Sequence, residues 1–92
     1  MKINFVWRSR ENALFQQSCE VFNAEHFRDE AYKFMLGLEK QKALGKLKLV
    51  KKNMGVAYWC PYGKLDWCRI ESLSNDSLEE GESYILSPNM EF

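Results

Sequence analysis

Residues 22–45 read FNAEHFRDEAYKFMLGLEKQKALG, and this stretch decides the fold because it carries one amphipathic helix with a clear start. Phe27, Ala31, Phe34, Met35 and Leu38 recur at helical spacing and draw one apolar stripe. Asn23 has the short side chain of a good N-cap, and Glu25 falls in the first turn, where the macrodipole favours an acid. Phe22 and Phe27 stand at the N′ and N4 positions of a hydrophobic staple. Lys40 and Lys42 fit the last turn, and Gly45 is a C′ stop. Gly37 is the weak point, since an interior glycine costs about 1 kcal/mol relative to alanine. It marks either an early helix end or a close approach of another backbone.

A single stripe has to be buried against a second layer, and the flanking sequence supplies strands. Ile3, Phe5 and Trp7 alternate with polar residues, the period of a half-buried strand. Ala13 to Phe22 is ambiguous: Phe15, Cys19 and Val21 suit a strand, whereas Leu14, Ser18 and Phe22 suit a helix. The fresh helix start at Asn23 favours the strand. Further on, Leu47 and Leu49 alternate with lysines, and Asn53-Met54-Gly55 and Pro61-Tyr62-Gly63 each have the chemistry of a three-residue hairpin loop.

Two such loops set a register in which Lys52 faces Val56 and Cys60 faces Lys64. Leu47, Leu49, Ala57, Trp59, Leu65 and Trp67 then fall on the helix side. Lys46, Lys48, Lys52, Lys64, Val50, Val56, Tyr58, Cys60, Cys68 and Ile70 fall on the other. Ser74 to Ser77 and Glu79-Glu80-Gly81-Glu82 are turns, and Tyr84 to Leu86 forms a short edge strand ended by Pro88. The expected fold is α+β: an antiparallel β-sheet, β-β-α-β-β-β along the chain, with one amphipathic helix packed on one face. With no repeat, low-complexity segment or linker, residues 1–92 read as a single small domain with an acidic C-terminal segment.

A chain of 92 residues buries a modest fraction of its surface, so its core depends on its 13 aromatic side chains. The apolar run Met1 to Trp7 is too short for a signal-peptide core or a membrane span. Three cysteines, Cys19, Cys60 and Cys68, form no disulfide framework and read as small buried apolar residues of a reducing, cytoplasmic environment. Their spacings from one another and from His26 match no zinc knuckle. No cofactor is expected. His26, the only histidine, lies in the first helical turn between Glu25 and Glu30 and reads as a structural residue rather than a catalytic base.

Charge is segregated. From Lys33 to Lys64 there are eight lysines against one acid, and from Leu65 to Phe92 seven acids against one arginine. This dipolar pattern bears on partners rather than on fold. Lys46, Lys48, Lys52 and Lys64 around Tyr58 offer phosphate neutralisation and base stacking on a sheet. The same lysines also serve as edge guards against aggregation. Asp76, Glu79, Glu80 and Glu82 offer the complementary surface, one that imitates a nucleic-acid backbone in a basic groove, solubilises the chain, or lies against the chain's own lysines.

In its size, aromatic content, helix-on-sheet pattern and lack of a catalytic motif, the chain resembles small phage-encoded inhibitors of host defence, the anti-CRISPR proteins among them. That resemblance implies a non-catalytic, stoichiometric inhibitor of a nucleic-acid-handling host complex, working in the host cytoplasm. It transfers no functional residue. The alternative is a nucleic-acid-binding module that uses the lysine face directly, and a small enzyme is a third. No membrane partner is expected.

Overall fold

The computed structural model describes residues 1–8, 14–43, 57–63 and 67–88. Among these residues the order is β1 (Lys2–Arg8), β2 (Leu14–Glu20), α1 (Ala24–Ala43), β3 (Ala57–Pro61), β4 (Cys68–Arg69) and β5 (Ser83–Pro88). The architecture is α+β, with one helix on a five-stranded sheet. β1 and β2 form a ladder that runs without a break from Lys2 opposite Glu20 to Arg8 opposite Leu14. Ile3, Phe5 and Trp7 point into the core, as their alternation requires, and Phe15 and Cys19 pack against it from β2.

The helix starts where the sequence places it. The Asn23 side-chain oxygen accepts the His26 N–H at 2.8 Å, and the Asn23 carbonyl accepts the Phe27 N–H at 2.9 Å. A second asparagine acts from a distance, since Asn75 Oδ1 accepts the Ala24 N–H at 2.7 Å. Two of the orphan donors of the first turn are thereby satisfied. All five stripe residues, Phe27, Ala31, Phe34, Met35 and Leu38, are buried. Gly37 neither ends the helix nor admits a backbone: α1 runs through it, and a Cβ there would meet nothing within 4 Å.

The sheet order β2-β1-β5-β3-β4 overturns the expected place of the last strand. β5 is central. It pairs parallel with β1 and antiparallel with β3, so the sheet is mixed rather than antiparallel throughout. Tyr84 and Leu86 suit the position, because a central strand lies under the helix and both side chains are fully buried on that side. The helix-side aromatics converge there. Tyr84 meets Phe27 edge-on at 5.3 Å and lies 5.6 Å from Trp59, and Phe27 in turn meets Phe5 at 5.2 Å.

The register of β3 and β4 also differs from expectation. Tyr58 lies opposite Arg69 and Trp59 opposite Cys68, three residues away from a pairing of Cys60 with Lys64. An odd shift exchanges faces. Ile70 therefore enters the core at 0% exposure, Trp67 is only half-buried, and Cys68 is exposed rather than buried. Gly63 does turn the chain with φ of 85°, but the connection from Pro61 to Cys68 is longer than a three-residue loop. Burial of Ile70, with the Trp59 indole N–H donating to the Arg69 carbonyl at 3.3 Å, fixes the register that is adopted.

Ala57 and Trp59 lie on the helix side and Tyr58 and Cys60 on the other, as expected. The face away from the helix is shielded at its centre: Val6 and Cys60, which flank Ile85 in the ladder, are 2% and 0% exposed. The expected strand and loop at Leu47, Leu49 and Asn53-Met54-Gly55, the helix stop at Gly45 and the positions of Val50, Val56 and Leu65 lie outside the described residues.

Trp59→Ala should cost about 3–5 kcal/mol, the usual range for removing a large core aromatic, whereas Trp67→Ala should cost on the order of 1 kcal/mol. Chemical denaturation of the two variants checks the register: equal losses would place both indoles on one face.

Candidate interaction surface

One end of the molecule is built from segments far apart in sequence. The N-terminal ammonium donates to Glu20 Oε1 at 2.8 Å and to the Val21 carbonyl at 3.0 Å. Lys2 closes the same end from the other side. Its N–H donates to Glu80 Oε2, and its carbonyl accepts the Gly81 N–H at 2.7 Å. The Asn4 N–H donates to the Glu82 carbonyl at 3.0 Å. The start of β1, the end of β2 and the acidic turn before β5 are therefore stitched into one surface. The amine is held above its usual pKa chiefly by the hydrogen bond to Glu20, which outweighs the opposing effect of burial and is helped by the charges of Glu20 and Glu80.

The acidic segment is anchored from below. Ile70, Leu73 and Leu78 are buried, while Asp76, Glu79 and Glu80 stand in solvent and Glu82 is half-buried. The Tyr84 hydroxyl, at the centre of the core, accepts the Glu79 N–H at 2.9 Å and donates to the Ser77 carbonyl at 3.3 Å. Burial pushes the Tyr84 phenol above its usual pKa, so the neutral, donating form persists. Gly81 turns the chain with φ of 78°, a conformation that side-chain-bearing residues rarely adopt. Asn75 then ties this segment to the helix start through Ala24.

At the edge of this end stands Phe22, 82% exposed. It is not stapled to Phe27, whose ring is already enclosed by Phe5, Trp59 and Tyr84. Its ring instead stacks on His26, with centroids 5.0 Å apart and planes 15° from parallel. The Phe22 N–H donates to His26 Nδ1 at 3.2 Å, so in the neutral ring the proton sits on Nε2. Nε2 lies 3.4 Å from Glu30 Oε1, and Lys33 Nζ reaches the same oxygen at 3.2 Å.

Cys19 lies beside this group, at Glu30. Burial and the Glu30 carboxylate push its thiol above its usual pKa, the opposite of what an activated thiol needs. Among the described residues no three of His, Cys, Asp and Glu are grouped as metal ligands. No helix among them is long and apolar enough to cross a membrane.

Of the basic candidates, Lys46, Lys48, Lys52 and Lys64 lie outside the described residues, and Tyr58 is half-buried on the face away from the helix. Of the acidic candidates, Glu80 is brought to Lys2 and the N-terminal ammonium, and the segment that carries Asp76 is tied to the helix start through Asn75. The sequence hid Glu20 in the segment of balanced charge, and the staple spacing pointed Phe22 inward. Neither residue carries a local signal for its position.

Tyr84→Phe should cost about 1–3 kcal/mol, because the Glu79 N–H and the Ser77 carbonyl lose their partner, and amide exchange from Ser77 to Glu82 should rise more than exchange in α1. Glu30 gives a pH test. Its pKa is lowered chiefly by the hydrogen bond from Lys33, so its contribution to stability is present above the ordinary glutamate range and is lost as pH falls through the lowered folded value. Carboxyl titration followed by NMR should place Glu30 below an ordinary glutamate, and Lys33→Met should raise it.

No family model, no curated protein and no solved structure matches this chain.

Proposed function

We propose that the protein is a small non-catalytic binding protein that inhibits a nucleic-acid-handling complex stoichiometrically, with its acidic end as the contact surface. The observation that carries this reading is the fixation of the turn from Glu79 to Glu82 by backbone bonds to Lys2 and Asn4 and by the Tyr84 hydroxyl. Carboxylates carried on a fixed backbone imitate the regular negative charge of a nucleic-acid backbone, and a basic groove accepts either. Pre-organisation also lowers the ordering cost of binding. A phage-encoded inhibitor of host defence, the kind of protein the chain resembles, would act in this way in the host cytoplasm.

The experiment is affinity capture from a host lysate followed by competition. A captured nucleic-acid-binding partner should release its DNA or RNA as the protein is added to one equivalent. Glu79→Gln/Glu80→Gln/Glu82→Gln should slow association by roughly tenfold or more at low salt, an effect that shrinks as salt rises. The free protein should not retard DNA or RNA in a mobility-shift assay. Direct, salt-sensitive retardation abolished by Lys46→Glu/Lys48→Glu/Lys52→Glu/Lys64→Glu would overturn this reading in favour of a nucleic-acid-binding module built on the lysine face and Tyr58.

A further inference from the structure

The acidic end has an aromatic side chain standing beside its charges, and this deepens the reading just given, on which it rests. We propose that Phe22 is a pre-organised anchor that enters an apolar pocket rimmed by lysine or arginine on a basic protein partner.

Three observations support the assignment. Phe22 is 82% exposed, although every other phenylalanine in the described residues is buried or half-buried. Its ring is nevertheless held, through the His26 stack and the N–H bond to Nδ1, and His26 is held in turn by Glu30 and Lys33. A side chain fixed in the free protein loses little entropy on binding, and aromatic anchors of this sort dominate interface energetics.

The third observation is charge. Glu20 ends the strand two residues before Phe22, Glu25 follows in the first helical turn, and Glu80 joins Glu20 at the N-terminal ammonium. Glu20 and Glu80 share one ammonium and Lys33 offsets Glu30, so an excess of carboxylate remains around the apolar centre, which complements an apolar pocket with a basic rim. A nucleic acid does not fit, because its phosphates would face these carboxylates. Met1, 39% exposed beside Val21, extends the apolar centre.

The test uses two probes of equal length, a synthetic amphipathic helix of leucine and lysine and an oligolysine, titrated into isotopically labelled protein. The leucine–lysine helix should shift the resonances of Met1, Phe22 and His26 and bind about tenfold more tightly than oligolysine, the scale of a single hot-spot side chain. Phe22→Ala should abolish that difference, leave the weak salt-sensitive oligolysine affinity intact, and unfold at the same denaturant concentration as the parent. His26→Ala, which keeps the phenyl ring but frees it, should lose part of the difference.

Equal affinity for the two probes, or unchanged affinity in Phe22→Ala, would overturn the anchor. If Glu79→Gln/Glu80→Gln/Glu82→Gln still weakened both probes in that case, the acidic contact surface would survive without its aromatic centre. Failure of both probes to perturb this end of the molecule would overturn the anchor and the acidic surface together.

Discussion

Insertion of the C-terminal strand between the first and third strands is the constraint on which the rest of the molecule depends. β5 supplies the parallel partner of β1 and the antiparallel partner of β3, so without it the N-terminal hairpin and the β3–β4 pair share no ladder. Tyr84 is the side chain that makes the insertion worthwhile. Its ring contacts Phe27 on the helix and Trp59 on β3, while its hydroxyl reaches past them to the backbone of the acidic segment. One residue thus joins the sheet, the helix and the candidate contact surface.

This arrangement bears on the acidic segment. The acidic turn does not hang from the end of the chain as a solubilising tail would. It runs into the central strand, and its backbone is tied to β1 at Lys2 and Asn4. Charges on a determined scaffold can match a pattern on a partner, whereas charges on a free tail give mainly long-range attraction. The chain's dipolar composition thereby gains a geometric meaning at its acidic end.

The end surface also shows how local rules yield to tertiary ones. Asn23 caps the helix as its chemistry dictates, because the bond is local and needs nothing beyond the first turn. The staple fails because Phe27 is already engaged by aromatics from other elements rather than by Phe22, five residues before it. Phe22 stacks on His26 instead, and an apolar residue that sequence assigns to packing stays on the surface. The same competition moved β4: burial of Ile70 outweighed the loop length that Pro61-Tyr62-Gly63 favours.

The sequence by itself determined the elements whose signals are local. The alternation of Ile3, Phe5 and Trp7, the stripe from Phe27 to Leu38, the cap at Asn23 and the glycine turns at Gly63 and Gly81 were all legible, since each depends on periodicity or backbone geometry over a few residues. The order of the strands, the parallel pairing of β5, the register of β4 and the assembly of Glu20, Glu80, Met1 and Phe22 into one surface were decided only in the tertiary structure. A three-residue apolar run such as Tyr84 to Leu86 reads alike whether it lies at an edge or at the centre of a sheet. Its place is chosen by which arrangement buries Tyr84, Leu86 and Ile70 together, a property of the whole chain that no local pattern encodes.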